Sequence, residues 1–339
     1  MKISRKVIAF LMVSALLLTF TGGAALAALD KAVNLTFATQ SVGSAMYMYA
    51  SAIVNVWTPA LPQVSLVDVT TTSPGGVGAP VILEKGDCDI VLGNSAPAKW
   101  AYERGILGSQ PTKSVRAMAG GLGKDFVNVM FTKAFVDKTG ITTVEEVVAK
   151  KYPVRIAIKA NGSFGELACN KVLEVLGVDY DTVRSWGGSV TQSGTDAIVS
   201  LLKDAKADMT IDHVGAGQSA TTELCLTTAM FFPELSAETR AKMNGQGFDN
   251  IAIPANTWNG QTKEIQSVGS PQVVLVSASV PDEVVYVLTK ALCEGKAKLA
   301  EANATLASFD PATAHDILKT GAPLHPGAEK YYREMNYMK

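Results

Sequence analysis

The sequence is poor in the groups on which much enzyme chemistry rests. It has three histidines, His213, His315 and His325, and no H-E-x-x-H, so a zincin-type metal site has no support. The best approach to a phosphate-binding G-x-x-x-x-G-K-[ST] is Gly123-Lys124. It is followed by Asp125 and has Met118 where the first glycine belongs. The nucleophile elbow G-x-S-x-G fails at each of three approaches. Gly93-Asn94-Ser95 runs into Pro97, Gly187-Gly188-Ser189 into Thr191, and Ser163 has Asn161 two residues before it. These gaps favour a non-catalytic protein that needs neither cofactor nor metal.

Cysteine is scarce too. Cys88, Cys169, Cys225 and Cys293 are widely spaced with no C-x-x-C, and read as small buried hydrophobes; a disulfide stays open, because sequence does not pair them. Neither sign of charge dominates, with 30 Lys and Arg against 31 Asp and Glu, and no basic cluster suits nucleic acid. Beyond the first 27 residues no apolar run is long enough to span a bilayer.

What is present begins with an export signal. Lys2, Arg5 and Lys6 precede an apolar run over 7–20, and Ala25-Leu26-Ala27 fits a cleavage site, giving a signal peptide over 1–27. No cysteine stands near that site to take a lipid, so the mature protein is expected to be free in the periplasm of a two-membraned cell.

Strand and helix patterns then alternate. Strands are expected at 33–39, 64–70, 89–92, 115–119, 127–131, 154–158, 207–212, 224–229 and 273–277. Helices are expected from the 40–44 turn to Trp57, over 79–85, 97–104, 166–176 and 196–204, from Thr142 or Thr143 to Lys151, over 281–303, and over 312–319. Such alternation argues for α/β architecture with parallel sheets in two lobes.

Four turns share one design, a strand followed by small polar residues and a helix start: 40–45, 93–95, 161–165 and 214–218. Small residues let a ligand approach the backbone, and free N–H groups at a helix start suit carboxylate or phosphate. Gln40, Ser41, Ser44 and Tyr47 are candidates from the first turn and Asn94 from the second. Asn161 and Ser163 come from the third, and His213 and Gln218 from the fourth. Lys159 reads either as a partner for a carboxylate or as solvated surface. Trp186 reads as packing on a ligand or in the core, Tyr47 as a ligand hydroxyl or a residue of an amphipathic helix. His213 reads as a ligand contact or a histidine satisfied between lobes; His325 reads as structural.

At these turns the chain resembles the TAXI-type substrate-binding proteins of TRAP transporters. The opening segment 35–43 with Tyr47, Gly86-Asp87-Cys88-Asp89-Ile90, and Asn161-Gly162-Ser163 fall where that family has strand-G-T-G-S-x-G-G-x-Y, G-x-x-D-I/L and G-S-G-T. Segment 253–261 is similar to I-P-A-G-T-Y-x-G-Q. Segment 323–334, Pro-Leu-His-Pro-Gly-Ala-Glu-Lys-Tyr-Tyr-Arg-Glu, is similar to P-L-H-P-G-A-x-x-Y-Y-x-E, the most specific of the set. Ala38, Gln40, Ser44, Phe164 and Gly165 depart from the pattern, all in turns that would face the ligand.

The resemblance implies a two-lobed, type II-like Venus-flytrap fold with a cleft between lobes. Residues 30–127 and 271–339 would form one lobe and the inserted 128–266 the other. The implied role is a receptor that delivers a small organic anion or amino acid to the small and large TRAP permease subunits. An exported enzyme or a sensor subunit on the same scaffold is the alternative.

Overall fold

A computed structural model of the chain describes residues 29, 31–40, 42, 44–62, 65–73 and 75–339. Residues 1–27, expected as a signal peptide, and Ser41 lie outside them. Twelve strands among the described residues form two mixed sheets. The first holds β1 (Asn34–Ala38), β2 (Leu66–Thr70), β3 (Ile90–Asn94), β4 (Val115–Gly120) and β12 (Gln272–Ser277), in the order β2-β1-β3-β12-β4. The second holds β5 (Asp125–Thr132), β6 (Arg155–Lys159), β7 (Ser189–Ser193), β8 (Met209–Gly215), β10 (Asp249–Ile253) and β11 (Ile265–Gly269), in the order β10-β11-β5-β8-β6-β7. β9 (Met230–Phe231) pairs with β5. With helices interleaved, this is a two-lobed α/β fold.

Both faces of each sheet are buried, which is why the central strands read as unbroken apolar runs. In the first lobe Ile90, Leu92, Val274 and Val276 pack with Phe37, Trp57, Leu288 and Tyr332. On the other face Val91, Val273 and Leu275 pack with Ala79 and Leu83. In the second lobe Val127, Val129 and Phe131 join Ile156, Ile158 and Ile211 on one face, and Phe126 and Met130 join Ala157 and Val214 on the other.

The expectation of parallel sheets holds only in part. β1 is parallel to β2 and β3, and β6 to β7 and β8. β12 runs antiparallel between β3 and β4, and β5 antiparallel to β8 and β11. β5 and β12 begin where the chain passes from one sheet to the other, through residues 121–124 and 270–271.

Three element assignments are corrected. The helix expected over 312–319 is a 3-10 turn, Pro311–Thr313, followed by a short helix, Ile317–Thr320. Residues expected as a strand at 224–229 belong largely to the helix Ser219–Thr227, because the Gln218 side chain caps it by accepting from the Thr221 N–H at 2.7 Å. The single helix expected over 281–303 is two, Asp282–Glu294 and Lys296–Ala302. Between them Gly295 packs so closely that a Cβ there would lie 2.2 Å from Val56 Cγ1.

All four cysteines are buried and free. Burial pushes the Cys88 and Cys293 thiols up to about 12, which keeps them protonated and inert. The 323–334 motif serves the scaffold. His325 caps the helix Pro326–Glu334 by accepting from the Gly327 N–H, Pro326 takes the first helical position, and the Tyr332 hydroxyl donates to the Met118 carbonyl at 3.0 Å. A Cβ on Gly327 would lie 2.1 Å from the Asp282 carbonyl oxygen, so this glycine lets the last helix meet Asp282–Glu294.

Candidate functional site

Three βα turns at the carboxyl ends of β1, β2 and β3 face the carboxyl ends of β6 and β8. Between them lies a cavity of about 380 Å³. The first lobe lines it with Gln40, Ala45, Met46, Gly75, Gly76, Val77 and Asn94, the second with Gly162, Ser163, Phe164 and His213. Asp125 and Gln272 stand where the chain crosses between sheets. Crevices outside the carboxyl ends of strands are where open α/β sheets bind ligands.

Local chemistry sets each wall. Ser44 is extended and accepts from the Tyr47 N–H at 3.1 Å, which starts the helix Ala45–Trp57. Ser163 does the same for the helix Phe164–Val175, accepting from the Glu166 N–H at 3.3 Å. The buried Glu166 carboxylate accepts in turn from the Gly162 N–H and the Tyr180 hydroxyl. Asn94 is buried and donates through Nδ2 to the Ser270 carbonyl at 2.9 Å. The 71–78 turn folds onto Gln40 and Asn94 because it carries two glycines there. Gly75 has φ +109°, and a Cβ on Gly76 would lie 1.9 Å from Asn94 Oδ1.

His213 accepts through Nε2 from the Ser270 N–H at 3.1 Å, and its ring lies 4.2 Å from that of Phe164. Burial depresses its pKa to about 3, so it is neutral. Asp125 accepts from Gln272 Nε2. Burial raises the Asp125 pKa to about 6, against the lowering pull of that hydrogen bond. Phe164 also stacks with Phe248, ring centres 6.1 Å apart, and both pack on Trp100 of the first lobe's helix Ser95–Arg104.

The structure therefore brings together Gln40, Asn94, Ser163 and His213 of the sequence-predicted set. Ser44 and Tyr47 stand beside the lining residues Ala45 and Met46, and Asn161 is exposed on the turn beside Gly162. Lys159 and Gln218 line a separate, smaller depression in the second lobe. There Lys159 Nζ sits 3.3 Å from Asp212 and donates to Thr195 Oγ1 at 2.7 Å. Trp186 packs half-buried on the second lobe's core, beside the segment that leads into the amino end of β6, whereas the cleft lies at that strand's other end.

Sequence reasoning missed Gly75, Gly76, Asp125 and Gln272, and placed Phe164 in a turn that would face the ligand without naming it as a site residue. The two glycines carried a signal, a small-residue turn after a strand. Asp125 and Gln272 carried none, being 147 positions apart.

The profile described as NMT1-like family matches residues 37–335. Among solved structures, a TctC solute-binding protein from Polaromonas superposes with a TM-score of 0.54 at 14% identity, covering 91% of this chain and 99% of that one. MatC from Rhodopseudomonas palustris, solved with bound malate, gives 0.47 at 13% identity over 90% and 98% of the two chains. The aliphatic sulphonate binding protein of Escherichia coli gives 0.46 at 13% over 89% and 79%.

Proposed function

The chain belongs to the NMT1-like family, and from that premise and the cleft between its lobes we propose that it is an extracytoplasmic solute receptor. It captures a small carboxylate or amino acid and delivers it to a membrane transporter. The observation that carries this reading is the cleft itself. Two lobes contribute polar turns to one cavity, and its size falls at the small end of the range for ligand pockets, roughly 300–1,000 Å³. The groups that would serve an enzyme are already engaged in holding the walls: Ser163 Oγ on a helix N–H, and His213 Nε2 on the Ser270 N–H.

Residues 30–127 with 271–339 would move as one body and 128–266 as the other. A solute closes them only by its differential affinity for the closed form. The sequence likeness of 253–261 and 323–334 to TAXI-type proteins supports a TRAP permease, with its small and large subunits, as the partner. The export signal supports a periplasmic location. The likeness to TctC concerns the fold alone.

A thermal-shift screen of carboxylates and amino acids against the purified protein tests the receptor reading. A ligand at 100 times its Kd stabilises by ~2.7 kcal/mol, a readily measured shift. Turnover of a hit by the protein alone overturns it. Uptake in vesicles that contain the permease, driven by an ion gradient and indifferent to ATP, is expected for the TRAP assignment; dependence on ATP overturns that assignment.

A further inference from the structure

The charge around the cleft is one-sided. Among the described residues Asp125 is the only Asp, Glu, Lys or Arg that lines it. Its Oδ2 accepts from Gln272 Nε2, and no hydrogen bond among the described residues reaches Oδ1. Behind the opposite wall, Glu166 is buried on the Gly162 N–H and the Tyr180 hydroxyl, with no cationic partner among the described residues. The nearby cation of the second lobe, Lys159, is committed to Asp212. Lys124, next to Asp125 in the chain, is exposed and lines a different depression, with Asp249, Asp310 and Lys319. His213, the one imidazole in the lining, is neutral.

A ligand that brought only carboxylates would meet an uncompensated carboxylate here and no cation. Like charges brought together in a partly dry site repel, whereas an ammonium on Asp125 gains a charge-assisted hydrogen bond. The Asp125 pKa of about 6 leaves the group mostly ionised at neutral pH, and burial makes it the group with most to gain from a cationic partner.

We propose that the solute carries a protonated amine, which binds the carboxylate of Asp125 on the cleft floor, so that amino acids and not the corresponding 2-oxo acids or dicarboxylates are captured. This choice rests on the receptor reading and narrows its ligand class. Gln272 is then a positioning residue. It is 3% exposed, and its amide fixes Oδ2; Oδ1, beside Gly215 where a Cβ would lie 2.7 Å from it, is the oxygen without a hydrogen bond among the described residues.

The test is a calorimetric titration of the mature protein with L-amino acids, the 2-oxo acids of the same carbon skeletons, and the amines left by decarboxylation. At pH 7.5 at least one amino acid is expected to bind at least tenfold more tightly than its 2-oxo acid. Asp125→Asn, which keeps the shape and the acceptor for Gln272, is expected to abolish that preference while leaving the fold intact by circular dichroism. Binding of 2-oxo acids as tight as, or tighter than, that of amino acids overturns the proposal and leaves the receptor reading standing. So does unchanged amino-acid affinity in Asp125→Asn. Binding of no member of the three series overturns the proposal together with the reading it rests on.

Discussion

The indole N–H of Trp100 donates to the Gln246 carbonyl at 2.7 Å, and the bond runs from the first lobe to the second. Gly247 follows with φ +92°, and a Cβ there would lie 2.7 Å from Lys99 Cδ on the same helix as Trp100. Trp100 is also packed on Phe248 and Phe164, and Phe164 forms part of the cleft wall. A side chain that lines the cleft is thus in contact with the group whose hydrogen bond runs between the lobes.

Trp100→Phe keeps much of the aromatic packing and removes only the donor. A hydrogen bond is worth about 1 kcal/mol net, so ligand affinity is expected to fall about fivefold. Small-angle scattering of the ligand-free variant should show a larger radius of gyration. An unchanged radius and affinity would mean that the bond has no part in closure.

His213 sets an acid limit. Its folded pKa, about 3, lies below the ordinary value of 6.5, so the unfolded chain binds the proton more readily. The stability that comes from keeping it neutral is present above pH 6.5 and is lost as pH falls from there toward 3. His213→Gln retains an acceptor for the Ser270 N–H and does not titrate. Its Tm is expected to decline less than that of the natural protein between pH 6.5 and 4; parallel decline would assign the acid sensitivity elsewhere.

Asp125 has the opposite sign. Its pKa is raised from 3.8 to about 6, so the folded state binds the proton more readily and its ionised form costs stability above pH 6. Asp125→Asn is expected to raise the Tm of the ligand-free protein at pH 7.5, with little gain at pH 4. In the natural protein, affinity for an amine should be near full at pH 7.5, half lost near pH 6 as Asp125 takes up its proton, and low at pH 5. The groups that bear on its ionisation are Gln272 and the Tyr49 hydroxyl, with neutral His213 in the same lining and Lys124 next to it in the chain. A pH-independent affinity between 5 and 7.5 contradicts this account.

Lys159 and Asp212 form a partly buried pair, with side chains 21% and 13% exposed. Removing one partner strands the other, at ~3 kcal/mol, whereas removing both costs less. Lys159→Met is therefore expected to unfold at a lower urea concentration than Lys159→Met with Asp212→Asn. Solute affinity should be nearly unchanged in the double variant, since the pair lines a separate depression.

Much of the fold was legible because its signals are local. Apolar runs at 90–92 and 273–276 announce strands buried on both faces, and Ser44, Thr143 and Ser163 announce helix starts that the structure confirms as caps. The break at Gly295 was not legible, because its cause is Val56, on another helix. The same difference divides the cleft. Asn94 ends β3, His213 lies near the end of β8 and Ser163 follows β6, positions near strand ends that sequence can see. The partners that now occupy them, Ser270 for both Asn94 and His213, are set by tertiary packing. Lys159 looked available for a carboxylate because its partner Asp212 lies 53 positions further on, in β8.

The strand order of the first sheet has a consequence for synthesis. β12 sits in the middle, hydrogen-bonded to β3 on one side and β4 on the other, yet it follows Asn94 by about 180 residues. A chain made at ~5–20 residues per second exposes the unpaired edges of β3 and β4 for roughly 10–40 s before their shared neighbour exists. The second sheet, drawn wholly from 125–269, needs nothing from the last 70 residues to close its ladders. β11 ends at Gly269 and β12 begins at Gln272, so the second sheet also waits for its last strands until then, and the nascent molecule spends its early life with both halves open-edged, the state in which a holdase chaperone would find most to grip.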